Sequence, residues 1–502
     1  MHGVHARSAR DEARCAWPLA LALGPFVLLS TLNSAGYRYG ASDLAFYVPA
    51  ALTRVDSSLF PRDAALIASQ ARLTTVDEVL AALMRLTGAS LPALLAVLYC
   101  VTLALLAAAL WRVGWRLYRT SYATLALLAA ATLRHAVSRT GTNTLEAYFH
   151  PRQLAFALGT LALASFLGRG RLVPGALVIA AGLLHPTTAL WFAIWLGVAT
   201  AVEDRASRAP LAASAALGLL GSIWLLSSGP LAGKLAIMDA EWLATLVTKD
   251  YLFPLDWPPD VWLINLAYAP IILAIYRRRR AATVLMWGET GLVIGCLSLL
   301  MVFGLALPLN AARVSIVVQL QIPRIFWMLD LLATIYVVWA LAEGRAGTAR
   351  RAQVTAAVVL AASLARGSYV MFLKFPDRPI AELAVADDDW GRAMAWARST
   401  RRDSGWIADP MHAARHGTSL RVAGERDVFV EAVKDTAIGM YERGVAIRTR
   451  DHLAQLTDFD GMTPARARAL AARHGLDYLV SEHPLDLPVA FQSGALRVYR
   501  LR

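Results

Sequence analysis

The chain predicts an α-helical polytopic membrane protein of about eleven spans with a soluble α/β domain at its C-terminal end. Three observations predict it. Apolar residues make up 57% of the 502 positions and the mean hydropathy is +0.49, above what a soluble domain shows. Several apolar runs approach the roughly 20 residues that cross hydrocarbon. The arginines that produce the net charge of +13 sit in short loops between those runs. That placement reads as membrane orientation and excludes nucleic acid as the partner of the charge.

Residues 1–15 are polar and hold Arg7, Arg10 and Arg14, so they read as a cytoplasmic N-terminal tail. The run from Ala16 to Leu32 follows as a retained signal-anchor. A long first outer loop, 33–90, separates it from further apolar runs near 91–111, 121–137, 153–168, 172–184, 187–202, 210–228, 261–276, 283–307, 324–342 and 353–373. The membrane domain is thus 16–373. The loops 111–120, 168–171, 203–208, 277–280 and 343–351 are rich in arginine and all fall on one side if the spans alternate. By the positive-inside bias that side is cytoplasmic, which puts 374–502 outside. Arginine in place of lysine and abundant alanine suggest a bacterium, hence an inner (plasma) membrane protein with a periplasmic or extracellular C-terminal domain. Cys15, Cys100 and Cys296 read as small apolar residues with no disulfide framework among them.

The tail passes out of the membrane through LKFPDRP. Helices are expected at DDWGRAMAWARSTR, around 433–456, and at TPARARALAARHG, where Thr463 caps the start, Pro464 takes the first position and Gly475 stops the end. WIADP, RVAGERDVFV (bent at Gly424), DYLVSE and PVAFQSGALRVYRL read as strands, the last holding a Ser-Gly turn. This alternation indicates a compact α/β domain. It lacks a phosphate loop, a nucleophile elbow and metal-ligand spacing, which suits a supporting or recognition role.

The chemistry gathers in the outer segments. YRYGASDLAFYVPAALTRVDSSLFPRD, residues 37–63, carries Asp43, Asp56, Asp63 and a row of tyrosines at a membrane edge. Asp43 is the candidate base: half-burial beside LAFYV should raise its pKa. The alternative is an N-cap for a helix through 44–55. Tyr47, in the same run, joins the substrate-binding candidates. LEAYFHPRQ supplies Glu146 as a second catalytic candidate, His150 and Gln153 as substrate contacts, and Arg152 as a clamp for phosphate; an interfacial anchor is the alternative. His185 breaks an apolar run at His-Pro, where an ionisable side chain suggests function. Arg313 and Arg324 flank a span and offer a guanidinium fork to a departing phosphate, or merely snorkel. The loop 229–260, with Asp239, Glu241, Lys249, Asp250, Asp256 and Asp260 among tryptophans and prolines, suits contact with sugar or lipid.

A cytoplasmic N-terminus, a long first outer loop with the acidic motif SDLAFY, about eleven spans and an outer C-terminal domain together resemble the GT-C class of integral membrane glycosyltransferases. The resemblance covers the whole chain as architecture but only Asp43 as a motif residue. It implies a polyprenyl-phosphate-linked sugar donor, an acceptor that is a glycan, a lipid or a protein, membrane lipids as partners, Asp43 as base and an inverting displacement. Leu44 stands where many members carry a second acidic residue, so a metal-dependent variant lacks support and no cofactor is expected. A transporter, with ionisable groups at mid-membrane, and a non-catalytic scaffold are the competing readings.

Overall fold

The computed structural model describes residues 9–344 and 348–502. Hydrocarbon offers no partner to backbone N–H and C=O groups, so apolar runs bond within themselves as helices. Six described helical stretches are long and apolar enough to cross a membrane: Leu91–Leu117, Arg205–Ser227, Pro259–Ala281, Glu289–Ala311, Ser315–Ala342 and Ala349–Lys374. The expected count of about eleven is corrected to six. Length is the reason: Ser121–Ala131 and Val173–Leu184 hold 11 and 12 residues, which at 1.5 Å per residue reach about 18 Å against a hydrocarbon core of about 30 Å. The first helix begins at Ala9, inside the segment expected to be a polar tail; residues 1–8 and the surroundings of Cys15 lie outside the description.

Side-chain contacts sort the connections into two ends. At one, Arg279 forms a two-pronged pair with Glu289, both bonds 2.7 Å, and donates to the Leu117 carbonyl. Glu343 accepts the backbone N–H groups of Arg119 and Thr120 there. Glu203 accepts that of Gly291, and Arg169 lies over the Trp287 ring. The described parts of all five arginine-rich loops therefore share this end. At the other end Asn33 donates to Ser363, Asn265 to the Ser138 carbonyl, and Asn310 to that of Leu252. The long connections meet here. Between the ends lies an aromatic core in which Phe156 stacks on Trp327 at 3.9 Å, while Arg208–Ser227 buries none of its residues and offers its leucines outward.

The C-terminal region carries a five-stranded sheet in the order Asp427–Val428, Gly405–Ile407, Tyr478–Ser481, Leu496–Arg500, Val489–Ser493. The first three strands are parallel and the last two close an antiparallel hairpin, with Trp406 opposite both Val428 and Tyr478. The helix Pro464–His474 starts and stops as its sequence dictates: Thr463 Oγ1 accepts the Arg466 N–H, and Gly475 takes the left-handed conformation at φ +69°. Two expectations are corrected. RVAGERDVFV is not one strand; Leu420–Ala423 is a helical turn that sends Arg421 into a buried ion cluster, and only Asp427–Val428 pairs. The stretch 433–456 is two helices, Ala432–Ile438 and Arg443–Gln455, broken where Gly439 packs so close that an added Cβ would stand 3.2 Å from the Ala446 backbone.

The first long loop binds this domain directly. Tyr37–Arg38 pairs in parallel with Ala381–Glu382, an approach that needs Gly36 at φ +85° with only hydrogen facing the Pro379 carbonyl. Fully buried Asp63 accepts from Arg421 (2.8 Å) and Arg448 (2.6 Å), and Arg421 spans across to both oxygens of Asp435. Asp63 is thus an anchor of the loop. Leaving either sign unpaired in such a site costs several kcal/mol, which fixes the register of loop on domain.

Candidate active site

Asp43 stands at the start of the helix Leu44–Val55, yet its side chain makes no capping bond. The helix starts where the N-cap alternative put it, with Asp43 at the cap position, but without the capping bond. Instead Ser42 is held in the left-handed region at φ +54°, and the carboxylate reaches His150 Nε2 at 2.9 Å and Lys434 Nζ. Lys434 also donates to Ser42 Oγ at 2.8 Å. Strained backbone of this kind persists only where surrounding contacts over-determine it.

His150 is the residue before the helix Pro151–Leu167. Its Nδ1 accepts the Arg152 backbone N–H at 3.1 Å, so the proton of the neutral ring sits on Nε2 and is donated to Asp43. Burial, and after it the Arg152 charge, pushes the His150 pKa down despite Asp43, consistent with a neutral donor. For Asp43, burial alone would raise the pKa, but the Lys434 charge and the His150 bond outweigh it and hold the carboxyl well below the usual range. The expected upward shift is therefore corrected, and the cause is a lysine about 390 residues away in sequence. Asp43 is an ionised acceptor at every physiological pH.

Around this pair the structure gathers most of the predicted residues. His185, between two helices, accepts from Thr188 through Nδ1 and sets its ring edge-on to His150 at 6.3 Å. The Tyr47 ring stands edge-on to His150 at 5.8 Å. Arg324, at the start of Ile325–Ala342, interacts electrostatically with Arg152, Tyr441, Tyr251 and Asp43. Its Nε is buried without a hydrogen-bond partner. Arg152 is buried rather than snorkelling, and its guanidinium is taken by Glu146 at 2.7 Å and the Gly141 carbonyl.

Two predicted residues hold this frame. Glu146 is paired with Arg152 and accepts from the Asn143 amide, and its N–H is held by Gln153, whose amide also donates to the Thr144 carbonyl. One predicted residue lies apart: Arg313 pairs with Asp256 at 3.5 Å and covers Phe253, with no contact to the Asp43 group. Of the outer loop 229–260, Tyr251 and Lys249 reach the cluster; the Lys249 ammonium donates to the Val433 carbonyl beside Lys434.

Lys434, Tyr251 and Tyr441 were missed by sequence reasoning. One signal was available: the chain has four lysines, and Lys234, Lys249 and Lys434 all bond at this junction, Lys234 to the Tyr441 carbonyl. Among the described residues, no group of three or more His, Cys, Asp or Glu is placed to hold a metal. No protein-family model matches the chain, and no curated protein matches it.

Proposed function

We propose that the protein is a membrane glycosyltransferase of GT-C type that moves a sugar from a polyprenyl-phosphate donor to an acceptor hydroxyl at the membrane boundary. The observation that carries this reading is the juxtaposition, in one partly buried cluster, of an ionised carboxylate with oxygen lone pairs to spare (Asp43) and a guanidinium with an unpartnered Nε (Arg324). One group suits an acceptor hydroxyl and the other a phosphate.

In the proposed reaction the acceptor oxygen attacks the anomeric carbon from the face opposite the phosphate. The anomeric C–O bond to phosphate breaks, its electron pair leaves on the phosphate oxygen, and Arg324 offsets the new charge. The acceptor proton passes to Asp43. A carboxylate with a depressed pKa is a weak base toward a free hydroxyl, so bond cleavage leads and proton transfer comes late, when the attacking oxygen has become acidic. His150 keeps Asp43 oriented through a neutral ring. Arg279 with Glu289 at one end and Arg324 at the other lie at helix ends, whereas Asp330 stands within Ile325–Ala342, held by His135 at 3.0 Å.

The test is incubation of the purified full-length chain with a panel of polyprenyl-phosphate sugars, following release of polyprenyl phosphate and the anomeric configuration of the product. Release with inversion supports the reading; release with retention rules out the single displacement; and flux of an unmodified substrate in vesicles without release would favour a transporter.

A further inference from the structure

A second feature lies on the far side of Ser42 and Glu146 from Lys434. A cavity of about 350 Å³ opens where the first helix and the helix Ala349–Ser368 end, and Arg38, Arg134, Arg366, Lys374 and Arg378 line it. The lining carboxylate is Glu146, already occupied by Arg152 at 2.7 Å. Glu382, from just beyond the cavity, reaches Arg38 at 3.5 Å and acts on Arg378. Two pairs of these cations repel, Arg134 acting on Arg366 and Arg38 on Arg378, while Arg134 donates to the Leu145 carbonyl and Arg366 to Asn33. Arg38 Nε is the atom that faces Glu382, in an ion pair without a hydrogen bond. This concentration stands at the end opposite the five arginine-rich loops, so membrane orientation does not account for it. On the π-helical turn Tyr369–Lys374 that continues the helix Ala349–Ser368, Tyr369, Phe372 and Leu373 turn outward, 56%, 59% and 73% exposed.

A polar mouth of like charges above an outward apolar strip fits an amphiphile. We propose that this cavity binds the phosphate headgroup of a membrane lipid, separate from the Asp43–Arg324 cluster, with the lipid chain lying along Tyr369, Phe372 and Leu373. Arginine forks take phosphate oxygens two at a time, and an anion bound among these side chains offsets their mutual repulsion. The site does not depend on the glycosyltransferase reading, because Asp43 and Arg324 take no part in it.

The test uses the full-length Arg324→Gln protein in a neutral detergent, so that the other cluster contributes no phosphate affinity, with dodecyl phosphate as probe in titration calorimetry. The expected result is one dodecyl phosphate per chain, bound at least about tenfold more tightly than dodecanol or inorganic phosphate. Adding Lys374→Gln with Arg378→Gln should weaken it at least about tenfold while leaving the ligand-free melting temperature equal or higher, since two repelling charges are removed. Should the double change not fold, exposed Lys374→Glu alone serves, with the same direction of loss. No binding of the probe, unchanged affinity in the variant, or equal binding of dodecanol overturns the phosphate site. Equal binding of inorganic phosphate overturns the lipid assignment.

Discussion

Glu431→Gln should make the C-terminal domain more stable at pH 8 and leave it unchanged near pH 4.5. Glu431 is 1% exposed, and neither carboxylate oxygen has a hydrogen-bond partner. Burial raises its pKa, Arg421 opposes and Asp435 adds to the rise, bringing it from 4.5 up to about 7. The folded state then binds more protons than the unfolded one between those values, so this group's contribution to stability is full below 4.5 and is lost as pH rises toward 7. The loss amounts to roughly 3 kcal/mol at 1.36 kcal/mol per pH unit. Glutamine imitates the protonated form and removes it. For a domain of this size the gap at pH 8 is on the order of 10 °C in melting temperature. Scanning fluorimetry on the full chain reads it directly, since Trp390, Trp396 and Trp406 report the domain core. Asp427, raised to about 6 mainly by burial and Asp63, titrates in both proteins, so the difference between them isolates Glu431. An equal gap at pH 4.5 and pH 8, or a variant less stable at pH 8, would refute the reasoning.

Three further outcomes follow from the geometry. Lys434→Met removes the largest influence that offsets burial of Asp43, so its pKa should rise and, under the proposed function, the pH–rate profile should gain an acid limb, activity falling as pH drops, where the native protein stays flat; identical profiles would exclude a role for Lys434. Arg324→Gln should cut kcat/KM for the lipid-phosphate donor by about 10²-fold, with the melting temperature unchanged because the Arg324 Nε has no hydrogen-bond partner to lose; a change confined to stability would contradict its phosphate role. Glu289→Ala, at the opposite end, strands buried Arg279 and should cost about 3–5 kcal/mol in detergent without any pH-profile change, measured by denaturation of the solubilised chain.

Much of the site was legible in sequence because polar side chains in an apolar chain are conspicuous. Asp43, His150, Arg152, His185 and Arg324 stand at the edges of apolar runs, and alternation of the runs brings such edges to one end. What was illegible arises from contacts at long range. Lys434 reverses the expected direction of the Asp43 pKa from a separate domain, and nothing local marks it. Asp63 forms one buried cluster with Arg421 and Asp435, more than 350 residues further on, so it reads in sequence like its neighbour Asp43 and serves a different end. Arg313 and Arg324 look equivalent beside their spans; only packing shows that one faces Asp256 and Phe253 and the other the Asp43 cluster. The span count erred because hydropathy sees apolar runs and not where helices stop: Thr132 and His185 end two of them short.

The central claim is that the Asp43 carboxylate takes part in glycosyl transfer, and Asp43→Asn beside the native protein tests it most directly. Asparagine keeps the shape and an oxygen for His150 while removing the charge. The account predicts that transfer from a donor the native protein uses falls by at least about 10²-fold in the variant while the melting temperature holds. Equal turnover in both proteins would contradict it.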